Sequence, residues 1–462
     1  MPVFARRRRA VRPLHRFDAV LANLPWPGAD KRSMPRGGAN FSSEELVRVL
    51  SHYDIGVVHR VKPLTGGNRR APKVIVTADK GIFLLKRRPR GGDDLGHIAL
   101  AHAVQQHLAS CSFPVASLLA TTDERTTALS LDSHLYEFFQ YVSGARYDGS
   151  AEATREAGRQ LAWFHKHLAD FGAPGVEDAG TAEAASRAGE SVASSDRGQD
   201  TRDTAAGDLS PSNRGQAGLE PSRHETLDPR AASWCFHDSA MVRRHLGLIA
   251  SWRGRGDLKL EGTRLGLLPP LARKGTEPGR SSTGRSRKEE LDALRAVAQE
   301  LLLRYDKSSA RVNELRFASW KRQIVHGDWH PGNLLFSDRR IVAVVDFDSI
   351  RVAPPATDLA NGMLQFSIVG DRPNPADWPA HFDRGRVLEF LAGYREVIRL
   401  SERKRYGLVD LMIESMIAEA VLPVAATGSF GQHSGLDFLQ MILRKTQWLR
   451  RHRRELREAM LQ

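Results

Sequence analysis

Ile324-Val325-His326-Gly327-Asp328-Trp329-His330-Pro331-Gly332-Asn333-Leu334-Leu335-Phe336 sets four polar, hydrogen-bonding side chains between two apolar runs. A simple turn needs one Asp or Gly; this one carries Asp328 and Asn333 at a fixed offset. Ser337-Asp338-Arg339-Arg340 reads as a hairpin turn, and the apolar strand Ile341 to Val345 ends directly at Asp346. A sheet of this kind brings Asp328, Asn333 and Asp346 near one point. Two carboxylates and an amide that converge there repel each other unless a cation lies between them. All-oxygen ligands suit Mg²⁺, which keeps several waters and completes its shell with substrate phosphates.

Four residues separate Asp328 from Asn333, the offset of the catalytic loop H-R-D-x-x-x-x-N in protein kinases. There the Asp receives the proton of the attacking hydroxyl, and the Asn and a later Asp hold the metals. Phosphoryl transfer concentrates charge, so such a site needs a base, metal ligands and a cationic clamp.

The run His326 to Asn333, followed by Val345-Asp346-Phe347-Asp348, resembles the aminoglycoside phosphotransferase and choline kinase family, which includes homoserine kinase and spore-coat relatives. The resemblance implies an α+β, two-lobed protein-kinase-like fold: a small N-lobe antiparallel sheet and a larger, mainly helical C-lobe. It implies Asp328 as catalytic base, Asn333 and Asp346 as Mg²⁺ ligands, and His326 as a brace for the loop. Asp358, in Thr357-Asp358-Leu359-Ala360, resembles the family's later aspartate that supports the catalytic loop. Asp348 is expected beside the metal or in contact with it. Tyr136 to Gly144 (YEFFQYVSG) resembles the hinge between lobes, where backbone groups of Phe139, Gln140 and Tyr141 would meet adenine. Gly158 to His165 (GRQLAWFH) resembles the family's next helix. The activity implied is transfer of the ATP γ-phosphate to a hydroxyl of a small molecule: an amino alcohol, a sugar or an aminoglycoside-like compound.

The N-lobe match is thinner. Lys86, in Phe83-Leu84-Leu85-Lys86, stands where the family's strand lysine meets phosphates, with Arg87 and Arg88 adjacent. Gly66-Gly67-Asn68 stands where the phosphate-covering loop belongs, without the G-x-G-x-x-G pattern. The helix expected over 95–109 offers no Glu to pair with Lys86; an uncharged partner, Asp93 or Asp94 is the substitute. That departure and the irregular Gly loop motivate a rival reading, a non-catalytic kinase-like nucleotide-binding module.

Along the chain, residues 41–142 form the expected N-lobe and 143–462 the C-lobe. A Ser cap at 42–45 opens a short helix. Lys73 to Thr77 and Ile82 to Leu85 read as strands, and 152–170 as an amphipathic helix. One helix is expected from Glu289 to about Leu303 and a second toward Trp320. Trp378, Phe390, Tyr394, Leu411, Met416 and Phe438 are candidate core positions. Glu414 and Glu419, five apart, read as a solvated face, with contact to a cationic substrate as the alternative, and His165 as a core histidine. Residues 1–40 read as a flexible basic arm. Residues 172–233 contain no Phe, Trp, Tyr, Ile or Met, and 274–288 are similar in character; neither buries enough apolar area to offset ordering entropy, so both are expected to be disordered.

The 462 residues carry a net charge of +14. Residues 1–40 contribute +7 and 444–462 contribute +5, so the middle is near neutral. Basic ends suit nucleic acid or an anionic surface, a further rival for the chain's role; a solvated arm and a basic helix face are the preferred reading. Two cysteines, Cys111 and Cys235, make no disulfide framework, so a reducing, cytoplasmic setting is the expectation. No apolar run approaches the roughly 18–20 residues that span a bilayer, and the Arg-rich start lacks the apolar segment of a secretory signal.

Overall fold

A computed structural model of the protein describes residues 41–64, 71–88, 94–171, 235–252, 286–370 and 372–462. The basic arm, Gly66, Gly67, Asp93 and the stretches 172–233 and 274–285 lie outside them.

Ser42 and Glu45 close a capping box, and helix α1 (Ser43–Leu50) starts there. Five antiparallel strands follow: β1 (Val58–Pro63), β2 (Lys73–Ala78), β3 (Gly81–Arg87), β4 (Ala128–Leu131) and β5 (His134–Gln140), in the spatial order β1-β2-β3-β5-β4. The strands alternate. Val74, Val76, Phe83 and Leu85 pack with Leu46, Val49 and Leu50 of α1 in one apolar cluster. The other face, with Lys73 and Lys86, looks toward the larger lobe. Between β3 and β4 runs helix α2 (Leu95–Ser110), capped by Asp94.

The larger lobe is mainly helical. Its helices are α3 (Ala151–His167), α4 (Ala240–Ala250), α5 (Arg287–Glu314), α6 (Pro355–Ser367), α7 (Arg384–Arg395), α8 (Glu402–Thr427), α9 (Gly435–Arg451) and α10 (Arg453–Leu461). They share one apolar cluster with α2. Helix α8 lies at its centre and is buried on every side through its middle turns. Four short strands sit against these helices: β6 (Gln323–Val325) pairs with β9 (Arg351–Ala353), and β7 (Leu334–Ser337) with β8 (Arg340–Val344). The β7–β8 turn holds Asp338 and Arg339 at φ of 47° and 62°, the left-handed pair that matches a two-residue hairpin to strand twist.

In its elements and core the structure departs from the sequence reading at several points. Helix α5 is one continuous helix, and Ser286 and Glu289 form its capping box, so residues 286–288 belong to its start. Strand β4, only four residues long, has no sequence signal strong enough to mark it. Trp378 is half-buried, its Nε1 donating to the Arg372 carbonyl at 2.8 Å, whereas Phe390, Tyr394, Leu411, Met416 and Phe438 are buried.

Much of the C-terminal positive charge is used inside the protein. Buried Asp410 on α8 pairs with Arg457 at 2.7 Å and Arg453 at 3.2 Å. Lys445 is fully buried, with Nζ donating to the carbonyls of Val369 and Pro379 at 3.0 Å each.

Helices α3 and α7 touch through glycines. A Cβ at Gly158 would stand 1.9 Å from the Phe390 carbonyl oxygen, and one at Gly393 would stand 1.9 Å from that of Arg155. Backbone cannot retreat as a side chain does, so Gly158→Ala is expected to destabilise by about 3 kcal/mol, the upper end for overpacking. Gly247, inside α4, has nothing within 4 Å of its Cβ position, and Gly247→Ala is expected to stabilise by up to about 1 kcal/mol. Urea denaturation of both variants checks the pair.

Candidate active site

The strand β6 ends at Val325, and the chain turns through Gly327 at φ 78°, where a Cβ would fall 2.2 Å from the Ser349 carbonyl oxygen. Asp358, near the start of α6 and buried, fixes this turn. Its carboxylate accepts the amides of His326 at 2.6 Å and Gly327 at 2.9 Å, and His165 Nε2 lies 3.3 Å away. Burial opposes the charge, but His165 and its other neighbours outweigh that and hold the carboxyl below its ordinary value. His165 uses its other nitrogen on the Tyr394 hydroxyl at 2.8 Å, as a satisfied core histidine does.

His326 is fully buried, which lowers its pKa and keeps the ring neutral. Its Nδ1 accepts the Asp328 amide at 3.3 Å. The ring packs edge-on to Trp329 and against Phe347, with centroids 5.4 and 5.3 Å away, so it ties the 328–333 turn to the segment after β8.

Asn333 closes the turn from its far end. Its Nδ2 donates to the Asp328 carbonyl at 2.9 Å and to Asp328 Oδ2 at 3.1 Å, which leaves Oδ1 as an acceptor. The Val345 amide donates to the Asn333 carbonyl at 3.0 Å, so the end of the 340–345 segment lies against the turn. The next residue, Asp346, adopts φ 66°, ψ 71°, a left-handed conformation uncommon outside glycine and typical of functional positions. Its carboxylate is exposed and has no partner among the described residues. The backbone thus sets Asp346 next to the turn that carries Asp328 and Asn333. Two carboxylates and an amide oxygen suit a hard cation that completes its shell with water and phosphate. Among the described residues no three His, Cys, Asp or Glu side chains form a cage that would bind a metal without such help.

His330 lies beside Asp328. Its Nδ1 accepts the Gly332 amide at 2.9 Å, and Nε2 is 3.5 Å from Asp328 Oδ2. Burial raises the Asp328 pKa and His330 lowers it; the net direction is down, so Asp328 is ionised at neutral pH. From α8, Glu419 approaches the same region, its carboxylate accepting from Gln365 Nε2 at 2.5 Å. The surrounding protein and Asp328 both raise the Glu419 pKa, although an open face to solvent tempers the first effect. Glu414 is not the solvated residue its spacing suggested. It is fully buried and bound to His237 Nδ1 at 2.9 Å.

On the other side of the cleft, Lys86 finds the acidic partner that α2 lacks. Lys86 and Glu137 are cross-strand neighbours on β3 and β5, with Nζ 3.2 Å from Oε2. Asp94 serves instead as the α2 cap. Glu137 is buried and also takes both Oε contacts of Arg88 at 3.0 Å and His102 Nε2 of α2 at 2.9 Å. Asp348 faces them from the larger lobe, accepting from Lys86 at 2.9 Å and Arg88 at 2.8 Å. His97 Nε2 lies 2.9 Å from the Asp348 carbonyl oxygen. Asp348 is therefore a bridge between lobes through two cations. Burial opposes both acids, yet His102, Lys86 and Arg88 hold the Glu137 carboxyl near about 2, and Lys86 and Arg88 hold Asp348 well below the usual range.

Sequence reasoning passed over Glu137 because it sought a glutamate on a helix. The available signal was an acid inside the aromatic strand Leu135-Tyr136-Glu137-Phe138-Phe139, where a charge survives only if paired. At the expected hinge, the amides of Gln140 and Tyr141 already donate to the carbonyls of Ser117 at 2.8 Å and Ile82 at 2.9 Å. Phe139 faces Leu84 across β3 and Leu118 on its other side. Donors for a base edge must therefore come from beyond Tyr141.

The profile of the phosphotransferase enzyme family matches residues 60–240 and 255–403. The chain belongs to this family. No curated protein sequence matches it. Among solved structures, an aminoglycoside phosphotransferase from Alicyclobacillus acidocaldarius superposes with a TM-score of 0.53 at 14% identity, over 92% of this chain and 98% of its own. The amicoumacin kinase hAmiN, determined with AMP-PNP and Ca²⁺, gives 0.50 at 12% identity, over 90% and 94%. A microcompartment-associated aminopropanol kinase gives 0.50 at 14% identity, over 88% and 97%. At these identities the likeness is one of fold: the two-lobed kinase-like architecture expected from the sequence.

Glu137 is ionised in the fold near about 2 against an ordinary 4.5. Its contribution to stability is present above about pH 4.5 and disappears as pH falls toward about 2. Glu137→Gln is expected to destabilise the protein at pH 7 by roughly 3 kcal/mol, since two buried cations lose a partner. The gap to the wild type should close between pH 4.5 and 2 in thermal melts. A gap that stays constant over that range contradicts the assignment.

Proposed function

We propose that the protein is an ATP-dependent small-molecule kinase. The observation that supports this reading is the Val345–Asn333 hydrogen bond, which sets Asp346 beside the turn of Asp328 and Asn333 at one end of the β7–β8 hairpin, with Asp358 fixing that turn.

ATP would lie between the lobes. Lys86 neutralises its phosphates, and the segment from Phe139 to Tyr141, with the residues just after it, meets the adenine. Gly66 and Gly67, expected from the sequence to cover the phosphates, lie outside the described residues. Asn333 Oδ1 and the Asp346 carboxylate hold Mg²⁺, which when bound neutralises charge on the transferring phosphoryl group. Asp328 orients the acceptor hydroxyl and receives its proton. The acceptor oxygen forms a bond to the γ-phosphorus as the bond from that phosphorus to the β–γ bridging oxygen breaks, and ADP leaves with that electron pair. His330 keeps Asp328 ionised before the transfer. Glu419 and Gln365, on the acceptor side of Asp328, favour an acceptor that carries an amine, such as an amino alcohol or an aminoglycoside-like compound.

The non-catalytic reading drew part of its support from the missing helix glutamate. Glu137 supplies that charge from β5, which answers this part of it; the other part, the irregular Gly66-Gly67 loop, lies outside the described residues. A role in binding nucleic acid rests on the arm 1–40, outside the described residues. No described helix is long and apolar enough to cross a membrane.

The test is a screen of amino alcohols, sugars and aminoglycosides for acceptor-dependent ADP release with Mg²⁺. Asp328→Asn is expected to lower the turnover of any hit by about 10²–10⁴-fold, the usual weight of a general base. Nucleotide affinity should change by no more than a few-fold. An Asp328→Asn variant with wild-type turnover refutes the mechanism.

A further inference from the structure

Lys73 is the first residue of β2 and stands directly opposite Lys86 in the β2–β3 register. Directly paired residues of antiparallel strands share a sheet face. Both lysines therefore point toward the cleft, away from the apolar cluster with α1. Lys73 is half-buried. Two like charges placed opposite each other on neighbouring strands destabilise the pair. Lys86 offsets this with Glu137 and Asp348, and Arg88 uses the same two carboxylates. Lys73 has no ion-pair or hydrogen-bond partner among the described residues.

A half-buried ammonium kept beside another cation, without an acid of its own, marks a place for an anion. We infer that Lys73 binds a nucleotide phosphate directly, while Lys86 and Arg88, already held by Glu137 and Asp348, form the fixed positive wall behind it. This assignment rests on the ATP reading above and extends it to a residue of a different strand. The electrostatic surroundings agree. Burial and Lys86 lower the Lys73 pKa, while Asp346, Asp348 and Glu137 raise it, so Lys73 lies within reach of the metal-side carboxylates as well as the N-lobe acid. Lys73 also follows closely on the β1–β2 connection, where a bound phosphate chain would pass.

The test is calorimetric titration of the full chain with ATP, ADP and AMP in the presence of Mg²⁺, on the wild type and on Lys73→Met, Lys73→Arg and Lys73→Glu. Lys73→Met should weaken ATP by about tenfold to hundredfold, the range of a hydrogen bond to a charged group. AMP affinity should stay within about twofold, and Lys73→Arg should recover most of the ATP loss. Lys73→Glu should melt no lower than wild type, because the acid pairs with Lys86, and yet bind ATP worst of the set. Wild type and Lys73→Met that bind ATP equally overturn the Lys73 assignment alone. A wild type that binds none of the three nucleotides overturns the ATP reading and this inference with it.

Discussion

The main-chain hydrogen bond from the Val345 amide to the Asn333 carbonyl is the contact on which the site depends. It joins the end of a hairpin strand to the turn that precedes the same hairpin. Without it, Asp346 would be free to swing away from Asp328 and Asn333, and three oxygen-bearing side chains would have no common centre. The bond is supported from below. Asp358 carries its charge into the core and spends its oxygens on two amides of the turn, a strong arrangement because hydrogen bonds to an ionised acceptor in a water-poor setting gain the most. The left-handed backbone at Asp346 follows from the same geometry: the chain must leave the strand sharply for Phe347 to reach His326.

Across the cleft, charge is balanced by a different scheme. Glu137 stands on a strand, at the cross-strand position opposite Lys86, and its rigid placement follows from sheet register rather than from the docking of a helix. Helix α2 still takes part, but through His102 on Glu137 and His97 on the Asp348 carbonyl. The lysine is thus oriented without a salt bridge to a helix. Asp348, between Lys86 and Arg88, ties the larger lobe to the smaller one through the very cations that a phosphate chain would use.

The turn of Asp328 and Asn333 was legible in the sequence because its chemistry is local. Asp328 and Asn333 lie within one turn, and the apolar run to Asp346 announces a strand that returns to it. Capping residues such as Ser42 and the two-residue hairpin at Asp338-Arg339 were local in the same sense. The partner of Lys86 was hidden because Glu137 is far away in the chain and only strand pairing brings it near; no periodicity in one segment reveals the register of another. Glu414 misled for a related reason. Helical spacing says which residues share a face, but not that the whole helix α8 lies at the centre of the lobe. Lys73 was read merely as the start of a strand, since its importance comes from what stands opposite it.

The most direct measurement of the central claim is ATP affinity with and without Mg²⁺, in the wild type and in Asp346→Ala and Asn333→Ala. If the three side chains share one divalent ion, Mg²⁺ tightens ATP binding in the wild type, and each substitution removes most of that gain. If Mg²⁺ changes nothing in the wild type, or if both variants keep its full effect, the three residues do not form a metal centre and the proposed chemistry fails.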